Sequence, residues 1–300
     1  MLNMSKWNRL GQICRWMIYC PGNEWFIEFD KKSFHVGMLG FLAGDVEYWR
    51  ASQLDIHSIF GVGVLGLWNV DWKLSDGGIK RRIKEFRKHG GYEFEQMRQN
   101  AFKPTTLGNQ LGLGAKKLFE QSQPWVKSVD HAKELQRKLD LQFPRMAKWK
   151  KEVRLRAHRE KELMTWFGRI QRFYQVFVTE WKNGEMVRRF GVEHDKAPAL
   201  EIQGNSFGVM DEDLLNLEKL GYCDRYGLIN MVHDNFSFRV RGGVRDKALR
   251  KIKEVLEMES DVLVSREFPG GFKVGVDCSV GKNWRKAGKG NPNGMREVEV

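Results

Sequence analysis

Between residues 227 and 240 the chain passes from an apolar run, Leu228-Ile-Asn-Met-Val232, to an alternation in which Phe236, Phe238 and Val240 are separated by Ser237 and Arg239. Two short runs of this kind, joined by His233, Asp234 and Asn235, predict a β-hairpin with those polar residues at its turn. Trp25-Phe-Ile-Glu-Phe29 has the pattern of a buried strand and ends on Asp30. Phe34, Met38, Phe41 and Leu42 then recur at helical spacing, so a helix follows the strand directly. A second hairpin is signalled at 175–181 and 186–190, which flank Asn183-Gly184.

The rest of the chain is mainly helical in pattern. Ile79, Ile83 and Phe86 form the inner stripe of a basic helix over 80–89, which reads either as a solvated face or as a contact for a polyanionic strand. The region 117–165 is helical, with breaks at Pro124 and Pro144. Its last part, 145–164, has so few apolar positions beside its lysines and arginines that a charged partner is expected. A helix ending at Gly221 leads back to the first hairpin, and 244–258 carries an amphipathic stripe of Ala248, Ile252, Val255 and Leu256. Residues 285–300 are polar and Gly-rich, and a flexible tail is expected there.

A hydrophobic content of 41% with 30% charged residues is that of a soluble globular protein. No apolar run approaches the roughly 18 to 20 residues that cross a bilayer, and the N-terminus lacks a signal-peptide core. No membrane partner and a cytoplasmic location are therefore expected. The cysteines, Cys14, Cys20, Cys223 and Cys278, are scattered, which argues against a zinc site or a disulfide framework. The net charge of +13 points to a polyanionic partner, most simply nucleic acid, although other basic proteins share it.

The segment Asp30-Lys-Lys-Ser-Phe-His-Val-Gly-Met-Leu-Gly-Phe-Leu-Ala-Gly-Asp45 resembles motif A of the family A DNA polymerases, where an Asp at the end of a palm strand precedes a helix running into Gly-Asp. The hairpin at 227–240 resembles motif C, whose core is Val-His-Asp-acidic. Residues 97–119 resemble motif B: Lys103 keeps the family spacing to Gly108 and Gly112, Arg98 stands five residues before Lys103 where the family has four, and Leu111 replaces a stacking Tyr. Leu54-Asp-Ile-His-Ser-Ile-Phe60 resembles the Asp-Ile-His-Thr segment; without that likeness His57 reads as a helix N-terminal residue beside its cap, Asp55. Trp166-Phe-Gly-Arg-Ile-Gln-Arg-Phe173 resembles the Phe-Gly-Arg-Arg turn, 198–210 the Pro-x-Gln-Gly-Thr helix start, and Val280-Gly-Lys-Asn-Trp284 the Gly-x-Asn-Trp ending. Arg15 stands where the family has an Arg, and Leu2-Asn3-Met4 is read as the remnant of a Gln-Asn-Ile-Pro-like stretch.

The resemblance implies an α+β fold in which an antiparallel palm sheet carries a largely helical fingers insertion: palm over 1–36, fingers over 37–197 with the motif B helix at about 98–119, and palm again over 198–284. It implies template-directed addition of deoxynucleotides, from dNTPs, to the primer of a primer-template DNA with two Mg²⁺ ions. Asp30 and Asp234 would hold the metals, Asn235 stands where a further acid is expected and can still ligate through its carbonyl, and His233 would lie beside the primer end. Lys103, Arg98 and His57 would contact the triphosphate, His35 and Leu111 the sugar and base pocket, and Arg169, Arg172, Gln203 and Asn205 the DNA. Nothing resembles the family's thumb or exonuclease domain, so the C-terminal part of a phage-type split or truncated polymerase is expected, with a thumb-bearing polypeptide in trans. A two-metal nuclease is disfavoured by the small number of paired acids, and a non-catalytic nucleic-acid-binding remnant of a polymerase is the main alternative.

Overall fold

A computed structural model describes residues 13–15, 17–110, 112–183 and 185–300. The strand delivering Asp30 is β1 (Glu24–Lys31), and α1 (Phe34–Leu42) follows it. Helices α2 (Val46–Leu54) and α3 (Ile56–Val64) are separated by Asp55 alone, whose φ of 114° ends one helix while its carboxylate caps the next. Helix α4 (Asp76–Met97) starts at Ser75, whose hydroxyl accepts from the Gly78 N–H. It runs into a π-helical turn, Arg98–Phe102, and then α5 (Lys103–Gln110). Helices α6 (Ala115–Gln121), α7 (Val129–Gln142) and α8 (Pro144–Glu160) follow. Pro144 sits at the first turn of α8, where no amide donor is needed.

Two hairpins come next, β2 (Glu162–Met164) with β3 (Ile170–Arg172), and β4 (Phe177–Lys182) with β5 (Glu185–Phe190). Asn183 takes a φ of 52° in the second turn, the left-handed conformation that Asn tolerates. Beyond them lie α9 (Val192–Lys219), α10 (Tyr222–Tyr226), β6 (Leu228–Val232), β7 (Asn235–Arg241), α11 (Arg245–Leu256), β8 (Val276–Gly281) and β9 (Arg296–Val298).

The chain divides into two compact units: Met1–Phe34, Phe207–Ser260 and Lys273–Val300 in the first, His35–Ser206 and Asp261–Phe272 in the second. In the first, the described strands form an antiparallel sheet of order β6-β7-β1-β8-β9, with β1 at its centre. Ile27 pairs with Phe238 and Val280, and Phe29 with Phe236 and Cys278, making one face of the sheet apolar. Helix α11 packs on β1, β7 and β8 through Ala248, Leu249, Ile252, Val255 and Leu256. The alternating residues place Glu28, Asp30, Asn235, Ser237, Asp277 and Ser279 on the other face.

Residues 285–300 differ from the expected flexible tail. Strand β9 pairs with β8, Cys278 opposite Val298 and Val280 opposite Arg296, while Asn283 and Asn291 exchange two amide hydrogen bonds of 2.8 Å. A free sheet edge and reciprocal amides order a segment whose composition alone reads as tail.

In the second unit, Phe41 packs on Trp166, Phe268 and Phe272 at centroid distances of 5.2–5.6 Å, and Trp49 also meets Phe268. These contacts draw 261–272 into the helical unit, although the sequence placed them in the palm. Lys150, counted among the cations offered to a partner, is instead buried between Asp140 (2.9 Å) and Asn109 (2.7 Å). Gly61 is required for packing, since a Cβ there would lie 2.4 Å from the Phe102 ring. Among the described residues no helix is long and apolar enough to cross a membrane.

The core of the first unit is tested at α11. Ile252→Ala should lower the unfolding free energy by about 2–5 kcal/mol in urea titrations, whereas exposed Lys247→Ala should change it by no more than about 0.5 kcal/mol.

Candidate active site

The sheet brings Asp30 and the β6–β7 turn to one end of neighbouring strands. Val232 pairs with Asn235, leaving His233 and Asp234 as a two-residue turn, with His233 at a φ of 57°. Asn235, expected in the turn, is the first residue of β7. The Lys31 N–H donates to the Asp234 carbonyl at 2.9 Å, fastening the turn to β1 one residue beyond Asp30. At the other end of β6, Gly227 has a φ of 65° and approaches Arg239 so closely that a Cβ would lie 2.7 Å from its carbonyl oxygen. Asp30 and Asp234 are half-buried and His233 is exposed.

Asn235 pairs directly with Asp30 across the strands, and its Nδ2 donates to Asp30 Oδ1 at 2.8 Å. Its Oδ1 accepts from the Ser237 hydroxyl, also at 2.8 Å. The amide therefore turns its nitrogen, not its carbonyl oxygen, toward Asp30. The oxygen through which Asn235 would ligate a metal thus already accepts one hydrogen bond, from Ser237.

Three neighbours of Asp30 escaped sequence reasoning. Lys31, on the opposite face, is buried and forms an ion pair with Asp213 of α9 at 2.7 Å while donating to the Leu256 carbonyl at 2.6 Å. Burial pushes the Asp213 carboxyl up to about 6 against the pull of that ammonium. Asp277 stands opposite Asp30 on β8 and pairs with Lys32 at 2.8 Å. Glu28, one rung behind, is buried and accepts from Trp284 Nε1, with the Arg15 guanidinium over the Trp284 ring at 4.3 Å. Burial lowers the Arg15 pKa, and the charges of Glu28 and Asp30 oppose that shift. The two-residue period of a strand is the sequence signal that puts Glu28 and Lys31, three positions apart, on opposite faces.

Among the described residues no group of three or more His, Cys, Asp or Glu side chains is arranged to hold a metal. Asp30 and Asp234 nevertheless suit Mg²⁺, which takes hard oxygen donors and is commonly bound by one or two carboxylates together with waters and substrate phosphates.

In the second unit, Arg98 and Lys103 meet through the π-helical turn. The Lys103 N–H donates to the Arg98 carbonyl, five residues back, which absorbs the additional residue noted in the sequence. Pro104 has no N–H for the Asn100 carbonyl, so the regular ladder is interrupted at this point. Lys103 is exposed. Arg98 is not: its Nη2 and Nε grip the Asp55 carboxylate at 2.9 and 3.1 Å, and Nε also reaches the Ser58 hydroxyl. Burial alone would raise the Asp55 pKa, but Arg98 and the Ser58 donors hold it below the usual carboxylate value.

His57 Nδ1 lies 2.6 Å from Thr106 Oγ1, and the Thr106 hydroxyl is directed at the Phe102 and Lys103 carbonyls. Nδ1 is thus the protonated nitrogen of the neutral ring, leaving Nε2 as an acceptor. Burial drives the His57 pKa down to about 4, with Arg98 and Lys103 adding to the fall and Asp55 opposing it.

The residues read as DNA contacts separate. Arg169 and Arg172 are exposed on the β2–β3 hairpin, and Gln203 is exposed on α9. Asn205 is fully buried: its Oδ1 accepts from the Trp166 N–H and its Nδ2 donates to the Glu201 carbonyl, both at 2.9 Å. It therefore fixes the turn carrying Arg169 instead of presenting its amide to a ligand. His35 is half-buried on α1. Leu111 and the Leu2-Asn3-Met4 stretch lie outside the described residues.

The fold is similar to that of the POL domain of Pol1 from M. smegmatis in complex with DNA primer-template and dNTP: the TM-score is 0.68 at 16% sequence identity. The match covers 94% of this chain and 44% of that one, so the chain spans less than half the length of its structural neighbour. No family model matches the chain, and no curated protein sequence is significantly similar to it.

The neutral His57 has a thermodynamic consequence. The unfolded chain takes up this proton near pH 6.5 and the folded chain only near 4, so protons between those values favour unfolding. The contribution is full above pH 6.5 and lost as the pH falls through 4. Relative to His57→Gln, the wild type should lose roughly 2–3 kcal/mol of stability between pH 7 and pH 4 in urea titrations. A difference independent of pH would contradict the neutral imidazole.

Proposed function

We propose that this chain carries the palm and fingers of a family A DNA polymerase and adds deoxynucleotides to a primer 3′ end on a DNA template. The observation that supports this reading most is the fastening of Asp30 and the His233-Asp234 turn at one end of a central antiparallel sheet, in a fold shared with a POL domain that holds primer-template and dNTP. Asp30 and Asp234 would hold two Mg²⁺ ions, which would activate the 3′ hydroxyl and neutralise the departing pyrophosphate. The 3′ oxygen bonds to the α-phosphorus, the bond to pyrophosphate breaks, and the hydroxyl proton leaves to solvent.

The chain's own residues position these groups. Asn235 holds the Asp30 carboxylate in one rotamer through its Nδ2, and the Lys31–Asp213 pair braces the strand end from the opposite face. His233 lies beside the primer end. Lys103 attracts the triphosphate, and Asp55 holds Arg98 in place at the start of the same turn. A phosphate beside His57 would draw a proton onto Nε2 and convert that nitrogen from acceptor to donor. His35 and Leu111 shape the sugar pocket. A thumb-bearing polypeptide that grips the duplex in trans, the expectation from the sequence, belongs to the same proposal.

Primer extension with Mg²⁺, by the chain alone and supplemented with candidate thumb-bearing polypeptides, tests this directly. Asp30→Ala and Asp234→Ala should each lower extension by at least about 100-fold, as expected for losing one transition-state charge contact. Near-normal extension by either variant would remove the metal assignment. Tight primer-template binding without extension under every condition would identify a non-catalytic remnant instead. Lys103→Ala should reduce kcat/KM for dNTP while sparing duplex affinity, and equal losses in both would make Lys103 a DNA-backbone contact.

A further inference from the structure

The β4–β5 hairpin has two chemically different faces. Phe177, Thr179 and Trp181 pair with Phe190, Arg188 and Met186, so these six residues share one face. Val178, Glu180, Val187 and Arg189 share the other, where Glu180 and Arg189 form an ion pair at 2.8 Å. The first face is anchored at its root, where Phe177 and Phe190 stack at 5.1 Å and meet His158 of α8 and His194 of α9 at 4.5 and 4.0 Å. Arg188 lies 3.9 Å above the Phe177 ring and Lys161 lies 5.4 Å from it.

Toward the tip the support ends. Trp181 is 72% exposed beside Met186 at 62%, and Trp181 stacks on no other ring among the described residues. Arg188 forms no ion pair among the described residues. A large ring left in water costs free energy that a planar partner would recover. The cations on this face make that partner anionic, and the acids that would repel an anion lie on the opposite face.

We propose that this hairpin face binds single-stranded nucleic acid, with a base stacked on Trp181 against Met186 and the backbone phosphates tracking Arg188 and Lys161. Combined aromatic and cationic side chains are the general chemistry of single-strand binding. A duplex does not fit, because its bases are stacked on one another and offer no open face to Trp181. If the chain copies a template, the strand held here is the unpaired template. The binding itself requires neither metal nor nucleotide, so its test stands apart from that of the catalytic reading.

The test is fluorescence anisotropy with a short dye-labelled oligothymidine, and with a blunt duplex as control, in EDTA and without dNTP. Trp181→Ala should weaken single-strand binding roughly 5- to 150-fold while changing duplex binding less than about two-fold; Trp181→Phe should retain most of the affinity. Arg188→Ala should reduce the slope of log K against log salt by about 0.7, the value for one phosphate of a single strand. Val187→Ala, on the opposite face, should leave single-strand binding unchanged. Unaltered single-strand affinity in Trp181→Ala, with the thermal melt intact, would overturn the proposal, as would an equal loss on the duplex. Concentration-dependent self-association that Trp181→Ala abolishes, with oligothymidine affinity preserved, would assign the face to a second copy of the chain and overturn it too.

Discussion

The register between β1 and β7 is the constraint on which the candidate site depends. Phe29 faces Phe236, and Asp30 faces Asn235. Side chains alternate along a strand, so a slip of one residue would send Phe29 and Ile27 to the polar face and Asp30 into the core under α11. The register is held from the apolar face: α11 seals that face, and Lys31 on the same side is tied to Asp213 and the Leu256 carbonyl. Burying that ion pair carries a desolvation cost, and removing one partner leaves a charge stranded in the core. Such a pair tolerates little displacement of the strand end, which is the property a site on Asp30 requires. The same strand thus couples folding to chemistry.

Elements governed by local periodicity were legible in the sequence. The hairpin around His233-Asp234 shows as an apolar run answered by a two-residue alternation, and Asn183-Gly184 marks the turn of β4 and β5. Helix α11 was readable because its stripe follows the helical period. Features that depend on distant partners were not. Nothing local distinguishes Lys150, buried beside Asp140, from the exposed lysines around it, nor Asn205, whose amide is consumed by Trp166 and Glu201, from a surface amide. Residues 285–300 are polar in composition, yet β9 pairs with the edge of β8 because backbone hydrogen bonding does not depend on side-chain polarity. The spacing of Arg98 and Lys103 was visible as one residue too long, and only the backbone shows that a π-helical turn absorbs it.

Electrostatics in the second unit follow a comparable logic. Asp55 ends one helix, caps the next and neutralises Arg98, so a single residue at a φ of 114° fixes three structural elements. Arg87 adds a further contact to Asp55 at 3.3 Å and is itself held by Glu95. Cations restrained in this way keep their positions without a ligand, so little ordering remains when an anion arrives. Lys103 is exposed at the start of α5 and retains its conformational freedom.

We propose that Asp30 and Asp234 together form a divalent-cation site at the end of β1. Anomalous diffraction from Mn²⁺ in crystals of the chain with primer-template DNA and a non-hydrolysable dNTP analogue tests it most directly. Anomalous peaks bridged by the carboxylates of Asp30 and Asp234 are expected, with the Asn235 amide nitrogen still donating to Asp30. Peaks confined to other carboxylates, or a bound nucleotide with no metal beside these two residues, would contradict it.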